Sequence, residues 1–390
     1  NPLNHLKRAT KSTQENNIKE LSFTSYRKNK KIRIAYVSSD FRDHPISHLI
    51  TRILELHDHS KFEIFAYSLS NKIDNYTKRI MNAVSCFRNI NCLNDYEIVN
   101  LIRNDHIDIA IDLNGYTKQN RRSIFAYRVS PIQINYLGYV GSLGSKSYDY
   151  ILSDKVIIPE EKKEYYTEKV LYHPTCTYPY DDTIEILNNK FTRGKLGLPS
   201  EGFVFACFNN IQKITRKEFN IWIKLLKRVE KSVLWIVKPD NLAIINLHAE
   251  LERFNVDKER IIFAEKVNLD DHLSRHCCAD LFLDTFNFNA GTTAMWALSN
   301  GLPLITIIGN SFSARIASSI LKACNLDELI TNNYSEYEEL AFKLATNREM
   351  LREISLKLKN KNNMPFFNSN KFTNELEDIY KKIYEIKQLK

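Results

Sequence analysis

Short apolar runs alternate with amphipathic stretches along most of this chain, and the alternation occurs twice. The apolar runs that predict strands in the first half lie at residues 32–39, 62–69, 107–114, 132–139, 148–154 and 169–174. Those of the second half lie at residues 203–209, 232–238, 260–266, 280–286 and 303–308. Strands that alternate with helices are typical of parallel sheets built from βα units. The pattern therefore predicts two doubly wound α/β domains.

Helices are predicted where apolar residues recur at the spacing of a helical turn. The clearest such stretches lie at residues 47–57, 95–105, 218–230, 241–255 and 371–388. Between the two halves, residues 175–202 are mixed in polarity and rich in turn residues. We predict the interdomain hinge region there.

Composition narrows the class of protein. The chain has 390 residues, of which 43% are hydrophobic, and this suits two or three globular domains. Its formal net charge is +9, but the basic residues lie beside acidic ones and form no stripe interleaved with aromatics, so we predict no nucleic-acid partner. The chain has no uncharged apolar run of about eighteen residues and no signal-peptide centre near its start, so we predict no membrane partner either.

The cysteines indicate the redox compartment. They are seven in number and follow no Cys-x-x-Cys spacing, so neither a disulfide framework nor a zinc site is indicated. A reducing compartment fits this usage, and we predict a cytoplasmic location.

Polar or glycine-containing loops follow six of the predicted strands. They lie at residues 38–48, 113–122, 137–144, 208–215, 265–276 and 284–303. In doubly wound α/β domains, ligands bind beyond the carboxyl ends of the strands. We therefore expect the functional residues in these loops.

The last of these loops has the composition of a phosphate site. Thr292 and Thr293 open a predicted helix behind Gly291, shortly after a strand. The first N–H groups of a helix lack intrahelical partners, so together with two hydroxyls they can bind a diphosphate without a metal. An ordinary strand-to-helix turn with a Thr cap has the same sequence. Because no Asp-x-Asp pair follows a strand in a suitable place, we predict a metal-independent site that uses helix amides and a lysine.

The loop motifs, taken in order, resemble the catalytic region of the O-linked N-acetylglucosamine transferase family, glycosyltransferase family 41. The motifs are SSDFRDHP, NGYT, PIQ with LGYVGSLG, FNNIQKI, LDDH, NAGTT and NGLPLIT. The resemblance implies the GT-B fold, with two facing Rossmann-like, doubly wound domains and the active site in the cleft between them. It implies an inverting, metal-independent transfer of N-acetylglucosamine from UDP-GlcNAc to Ser or Thr of a protein or peptide acceptor. No cofactor is expected.

The resemblance also suggests domain limits. Residues 1–30 would be an N-terminal helical extension, because family members commonly carry tetratricopeptide repeats upstream and these are absent or cut away here. Residues 31–180 would form the N-terminal catalytic lobe, and residues 181–370 the lobe that binds the nucleotide sugar. In GT-B enzymes a helix such as 371–390 often crosses back to the first lobe.

Donor-binding groups are implied in the second lobe. Lys213 matches the family's phosphate-binding lysine, and His272 matches a histidine whose ring stacks on the nucleobase. The remaining donor-binding positions are Asn210, Gln212, Gly291, Thr292 and Thr293. Outside the resemblance, Lys213 could be a solvated surface lysine and His272 a helix cap.

Groups near the sugar and the acceptor are implied in the first lobe. Asp40 and His44 are both candidates for the base that deprotonates the acceptor, since His titrates near neutral pH. The local sequence also fits an Asp-capped turn closed by proline. The other implied sugar-side positions are Asp43, Pro45, Asn114, Gly115, Tyr116, Thr117, Leu137 and Gly138, and Gly141 and Gly144 would let the backbone approach the ligand.

Some positions depart from the family pattern. Trp296 stands where an aspartate usually meets the ribose, and an aromatic ring cannot accept a hydrogen bond from a ribose hydroxyl. Leu269 replaces a lysine, while Gly291 and Gln212 look like tolerated variants. The alternatives are therefore a GDP-fucose O-fucosyltransferase, a UDP-glucose asparagine N-glucosyltransferase and a noncatalytic nucleotide-sugar-binding protein.

Two further motifs are interpreted as structural. His57, Asp58 and His59 resemble a metal-binding pair of histidines but end a predicted helix, which suggests a solvated turn. Cys277 and Cys278 fall on a predicted helix and are expected to be packing residues.

Overall fold

The computed structural model describes residues 2–14, 29–185 and 190–389. The chain divides into two compact units. Unit 1 comprises Asn1–Thr183 and Pro365–Lys390, and unit 2 comprises Ile184–Met364. Most of the predicted N-terminal extension, residues 15–28, lies outside the described residues. The lobe limits at 180/181 and 370/371 stay predictions.

Unit 1 contains a seven-stranded parallel sheet. Its strands are β1 Ile32–Ser38, β2 Phe62–Ser68, β3 Cys86–Asn89, β4 Ile109–Asp112, β5 Ile132–Asn135, β6 Tyr150–Ser153 and β7 Lys169–Tyr172. The strand order is β3-β2-β1-β4-β5-β6-β7, so the order reverses between β1 and β4. Ile34 of β1 pairs with Ile64 on one side and Ile109 on the other, and all three are fully buried. Central strands covered on both faces explain why the sequence shows continuous apolar runs.

Helices separate these strands. The first five are α1 Pro2–Gln14, α2 Pro45–Leu56, α3 Asn75–Ala83, α4 Asp95–Asn104 and the single turn α5 Ser123–Ala126. Side chains specify where they begin: Asp74 and Asn94 each form a capping box with the third residue of α3 and α4, respectively.

Unit 2 contains a six-stranded parallel sheet of the same design. Its strands are β8 Val204–Cys207, β9 Val233–Val237, β10 Ile261–Ala264, β11 Leu281–Leu283, β12 Leu304–Ile307 and β13 Ile330–Thr331. Its helices are α6 Arg216–Arg228, α7 Asn241–Arg253, α8 Leu269–Ser274, α9 Thr292–Ser299, α10 Ile316–Ala323, α11 Tyr334–Thr346 and α12 Arg348–Lys359. The order β10-β9-β8-β11-β12-β13 reverses between β8 and β11.

The last helix, α13 Ser369–Gln388, packs on unit 1. Its Glu377 accepts a hydrogen bond from Nδ1 of His57 at 3.0 Å, and Tyr36 donates to Nε2 of the same ring at 2.8 Å. The prediction of a solvated turn at His57 is therefore wrong, because its side chain is buried under α13. That contact joins residues 320 positions apart, so the local sequence pattern does not reveal it.

Two strands differ from the sequence prediction. β3 is a half-buried edge strand with the sequence CFRN, and β13 has two residues. Neither carries the apolar run by which the other strands were predicted.

None of the helices in the described ranges has both the length and the apolar character that crossing a bilayer requires.

Candidate functional site

The predicted site residues lie in the loops and helix starts beyond the carboxyl ends of the strands, and several of them flank the points where the strand order reverses. In unit 1 this switch point lies between β1 and β4, and in unit 2 between β8 and β11. Neighbouring loops diverge at a switch point and leave a crevice for ligand. Each unit therefore has one candidate binding crevice.

Asn114 joins the two loops of the unit 1 switch point. Its Nδ2, with two N–H donors, lies within hydrogen-bond distance of three acceptors: Asp40 Oδ2 at 3.0 Å, Ser39 Oγ at 2.8 Å and Thr117 Oγ1 at 3.1 Å. Its Oδ1 accepts from the N–H of Ser39 at 2.8 Å. Because the Asn114 side chain is buried, these bonds fix the positions of both loops.

Asp112 holds the turn that carries Asn114. Its carboxylate accepts from the N–H groups of Asn114 and Gly115 and from the Tyr148 hydroxyl, at 2.9, 3.0 and 2.6 Å. Burial raises the pKa of Asp112, and these hydrogen bonds oppose the shift. Gly115 has a φ of +57°, and a Cβ there would press on Tyr139, so the turn requires glycine.

Asp40 and His44, the two candidates for the base, lie close together. Asp40 Oδ1 accepts from Arg42 at 3.0 Å, and its Oδ2 lies 3.8 Å from His44 Nδ1. His44 is the N-cap of α2, and its Nδ1 accepts from the N–H of Ile46 at 3.2 Å. This bond assigns the proton of the neutral ring to Nε2. Burial lowers the pKa of His44, and Asp40 opposes that shift.

Asp43 and Pro45 shape the same loop. Pro45 is the first residue of α2, where its missing N–H costs nothing. The largely exposed Asp43 carboxylate accepts from Nε2 of His48 at 2.7 Å, and its backbone N–H donates to Asp74 at 2.5 Å. The structure brings Asp43 to the edge of the unit 1 switch point and gives it a protein partner.

The hydroxyl of Tyr116 does not join Asn114. It lies 3.0 Å from the carbonyl oxygens of both Ala9 and Leu143, so it anchors α1. Gly144 was expected to let the backbone approach a ligand. In the structure it lets the backbone approach α1 instead, because a Cβ at this position would clash with Ala9 and Thr10.

Other glycines in these loops also serve backbone contacts. Gly141 faces His5 of α1. Gly138 lets the loop after β5 touch the carbonyl oxygen of Leu113, and the buried Leu137 before it has a φ of +74°.

Asn209 joins the loops of the unit 2 switch point. Its Oδ1 accepts from the Thr293 hydroxyl at 2.6 Å, and its Nδ2 donates to Asp284 at 3.1 Å and to Thr285 at 2.8 Å. The neighbouring Asn210, which we predicted instead, is exposed and accepts from the N–H of the exposed Gln212. The residue that contacts Thr293 is therefore Asn209.

Asp284 organises the loop between β11 and α9. Its carboxylate accepts from the N–H groups of Thr285 and Ala290, at 2.8 and 2.7 Å, and from the Thr306 hydroxyl at 2.7 Å. Burial raises its pKa to about 6, so the group is mostly ionised at neutral pH. The sequence signal for Asp284 was a carboxylate directly after a fully buried strand.

Lys213 is held over this loop. Its ammonium donates to the carbonyl oxygen of Asn289 at 3.1 Å and lies 4.1 Å from the centre of the Phe288 ring. Burial lowers the pKa of Lys213, and the charge of Asp284 opposes that shift. Of its three N–H donors, one is used by an acceptor within the described part of the chain, so a ligand can take the others.

Helix α9 begins as predicted, behind Gly291. Gly291 occupies the N-cap position and has no side chain with which to cap the first turn, and Thr292 and Thr293 are the first two helical residues. The first N–H groups of α9 and the Thr292 hydroxyl can therefore bind an anion. Within the described ranges, no three His, Cys, Asp or Glu side chains are grouped so that they could hold a metal ion.

His272 belongs to an aromatic cluster. Its ring centre lies 5.2 Å from that of Phe208, 4.8 Å from that of His276 and 5.4 Å from that of Trp296. Its Nδ1 accepts from Arg275 at 2.7 Å. Burial, followed by the charges of His276 and Arg275, lowers the pKa of His272 to about 2. The ring is therefore neutral and carries its proton on Nε2.

The two adjacent cysteines differ in their surroundings. Cys278 is buried, as expected of a packing residue, whereas Cys277 is exposed. The packing prediction is therefore wrong for Cys277, because residues 275–278 form a 3₁₀ turn rather than a continued helix.

Stability should fall in mild acid because several histidines are buried in the neutral form. Burial lowers the pKa of His57, and lowers that of His276 to about 4. Below pH 6.5 these histidines take up protons in the unfolded chain but not in the folded protein. Their contribution to the free energy of unfolding is therefore complete above pH 6.5 and is lost as the pH falls towards 4. Asp284, with its raised pKa, acts in the opposite direction. We expect the melting temperature to decrease from pH 7.5 to pH 5, and a flat or rising curve would contradict this.

Asn114→Asp should destabilise unit 1 at neutral pH. The substitution places a carboxylate at hydrogen-bond distance from Asp40, where the amide now donates. We expect the free energy of unfolding to fall by about 1–3 kcal/mol at pH 7.5. Part of that loss should be recovered at pH 5, because the pair then shares a proton. Urea unfolding at both pH values measures the free energy of unfolding, and the control is Asn91→Asp, a substitution of an exposed residue. Equal stability of the two variants would contradict the assigned role of Asn114.

Comparison with protein families gives one match that spans most of the chain. The model of glycosyl transferase family 41 matches residues 12–190 and 182–376. Among curated proteins, a probable UDP-N-acetylglucosamine–peptide N-acetylglucosaminyltransferase SEC of Arabidopsis thaliana is 33% identical over 366 residues, which cover 92% of this chain and 37% of that protein. A UDP-N-acetylglucosamine–peptide N-acetylglucosaminyltransferase of Caenorhabditis elegans is 26% identical, with 91% and 41% covered. The chain thus spans about two fifths of the length of these relatives.

Solved structures agree on the fold. A mutant of the Thermobaculum terrenum O-GlcNAc transferase superposes with a TM-score of 0.91 at 25% identity, covering 99% of this chain and 75% of that one. An Anabaena protein solved with UDP and glucose superposes with a TM-score of 0.58 at 11% identity, covering 90% of this chain and 100% of that one. The predicted fold class, α/β with the two doubly wound parallel sheets of GT-B glycosyltransferases, is confirmed.

Proposed function

Because this chain belongs to glycosyl transferase family 41, we propose that it is the catalytic region of a protein O-glycosyltransferase. The proposed reaction moves N-acetylglucosamine from UDP-GlcNAc to a Ser or Thr hydroxyl of a protein or peptide, inverts the anomeric carbon and needs no metal. The relatives named for this activity support the donor and the acceptor class.

The observation that carries the proposal is the unit 2 switch point. Lys213, with donors to spare, and the uncapped first turn of α9 lie on loops that the Asn209 and Asp284 side chains connect. A departing diphosphate gains negative charge in the transition state, and fixed N–H donors stabilise that charge without reorganisation. These groups are suited to that task.

The proposed chemistry is a single displacement. The acceptor oxygen bonds to the anomeric carbon while the bond from that carbon to the β-phosphate oxygen breaks, and the electron pair leaves with UDP. Lys213 and the α9 amides stabilise the leaving group. The acceptor proton must go to a base, for which Asp40 and His44 are the candidates. With its proton on Nε2, His44 has its free lone pair on Nδ1, so it could take the acceptor proton only by giving up the bond from the N–H of Ile46 that caps α2.

Other predicted positions keep their roles within the proposal. Sugar contacts are assigned to Asp43, Pro45, Asn114, Gly115, Thr117, Leu137 and Gly138. Tyr116 would act by holding α1 rather than by its hydroxyl contacting the sugar. All seven cysteines are free thiols, which supports the proposed cytoplasmic location. We propose no nucleic-acid or membrane partner.

A donor panel tests the proposed function. The protein is incubated with a Ser/Thr peptide and UDP-GlcNAc, UDP-glucose or GDP-fucose, and the peptide mass is measured. Thermal shifts with UDP and GDP are recorded in parallel. We expect a gain of one N-acetylhexosamine and a thermal shift with UDP. Modification by another donor alone would replace the donor assignment, and a thermal shift without modification would favour a noncatalytic binding protein. An unaltered peptide with no shift would contradict the proposal.

A further inference from the structure

Trp296 lies one helical turn beyond the proposed diphosphate site. It follows Thr292 by four residues and Thr293 by three, and residues at these spacings share one face of a helix. One turn of helix rises by about 5.4 Å, so the indole is within reach of one of the two groups attached to a diphosphate bound at the start of α9. That neighbouring group, for the donor of the proposed function, is either the nucleoside or the sugar.

The surroundings of Trp296 favour the nucleoside. Its ring meets His272 at a centroid distance of 5.4 Å with the planes at 78°, and His272 meets Phe208 in the same edge-to-face manner. Trp296 and His272 are both half-buried, so part of each ring stays accessible. A flat heterocycle packs well on such partly exposed aromatic rings. The surface thus runs from N–H donors at the start of α9 to accessible aromatic rings, as a nucleoside diphosphate requires.

The chemistry of the indole limits which groups of a ligand it can recognise. A Trp side chain has apolar faces and one N–H donor, and it has no acceptor for a hydroxyl proton. Leu269, one turn before His272 on α8, adds no polar group either. A ribose placed against these two side chains gains apolar contact from them and no hydrogen bond to its hydroxyl protons.

We propose that Trp296 forms an apolar wall of the nucleoside pocket, and that the pocket therefore does not select a ribonucleotide over its 2′-deoxy counterpart. This inference rests on the proposed function, because it takes unit 2 as the donor-binding unit. It makes Trp296 a specificity-determining residue, because the indole binds the nucleoside through apolar contact and forms no hydrogen bond with the proton of the ribose 2′-hydroxyl.

Isothermal titration of the whole chain with UDP and with 2′-deoxy-UDP tests the inference. We expect the two dissociation constants of the parent protein to agree within about threefold, since a lost hydrogen bond costs on the order of tenfold. Trp296→Asp supplies an acceptor and should give UDP an advantage of about tenfold. Trp296→Phe keeps an apolar ring and should leave the ratio unchanged.

Each outcome separates this inference from the proposed function. If the parent binds UDP about tenfold or more tightly than 2′-deoxy-UDP, another group reads the hydroxyl and the inference fails while the function stands. The same holds if Trp296→Asp, folded by its circular dichroism, shows the ratio of the parent. If the parent binds neither nucleotide, the donor site in unit 2 is wrong and both proposals fail.

Discussion

Lys213→Met is expected to lower the rate of glycosyl transfer by about a hundredfold or more, because it removes a fixed positive charge from the departing diphosphate. Methionine has a similar length and can pack on the Phe288 ring in place of the ammonium. Nucleotide binding should weaken only modestly, since the α9 amides and Thr293 remain in place. The effect should therefore appear in kcat more than in the dissociation constant of UDP.

Peptide modification at saturating UDP-GlcNAc and titration with UDP measure the two quantities. The control is Lys217→Met, which removes a nearby, exposed lysine at the start of α6 whose ammonium lies 5.5 Å from the centre of the Tyr334 ring. That variant should transfer at the parent rate. Equal rates for Lys213→Met and Lys217→Met would remove Lys213 from the mechanism.

Asp284→Ala is expected to lower the free energy of unfolding of unit 2 by more than about 3 kcal/mol. The substitution leaves four buried donors without their acceptor, namely the N–H groups of Thr285 and Ala290, the Asn209 amide and the Thr306 hydroxyl. Each such buried donor costs about 1–3 kcal/mol. Transfer should be lost as well, because Asp284 holds Asn209, which accepts from Thr293, and it holds the N–H of Ala290 next to the Asn289 carbonyl that accepts from Lys213.

Asp284→Asn separates the shape of this side chain from its charge. The Asn Oδ1 can keep the three N–H donors, and its Nδ2 can donate to Thr306 Oγ1. We expect this variant to stay within about 1 kcal/mol of the parent, and to have a Lys213 pKa lower than that of the parent, since the opposing charge is gone. Urea unfolding of both variants decides the matter. An alanine variant as stable as the asparagine variant would contradict the role given to Asp284.

The sequence predicts the elements that are buried on both faces. β1 and β8 were predicted because central strands of a parallel sheet are continuous apolar runs. β3 and β13 were not, because the edge strand β3 is half polar and β13 has two residues. Paired edge strands are defined by their neighbours rather than by their own composition.

Site residues were predictable where a loop motif carries them. Lys213, Thr292 and Thr293 lie in such motifs, and the structure places them on loops of one switch point. Asn209 was missed because its bonds join residues about 75 or more positions apart. The role of Asp284 was missed because it consists of backbone and hydroxyl bonds that no motif marks. His57 was misinterpreted for the same reason, since Glu377 covers it from the far end of the chain.

The central claim is that the chain transfers a sugar using its own donors to stabilise the diphosphate. The mass of a Ser/Thr peptide after incubation with UDP-GlcNAc and a chelator such as EDTA tests it most directly. The account predicts a peptide heavier by one N-acetylhexosamine, with one UDP released for each sugar transferred. An unaltered peptide, under conditions in which titration shows the nucleotide bound, would contradict it.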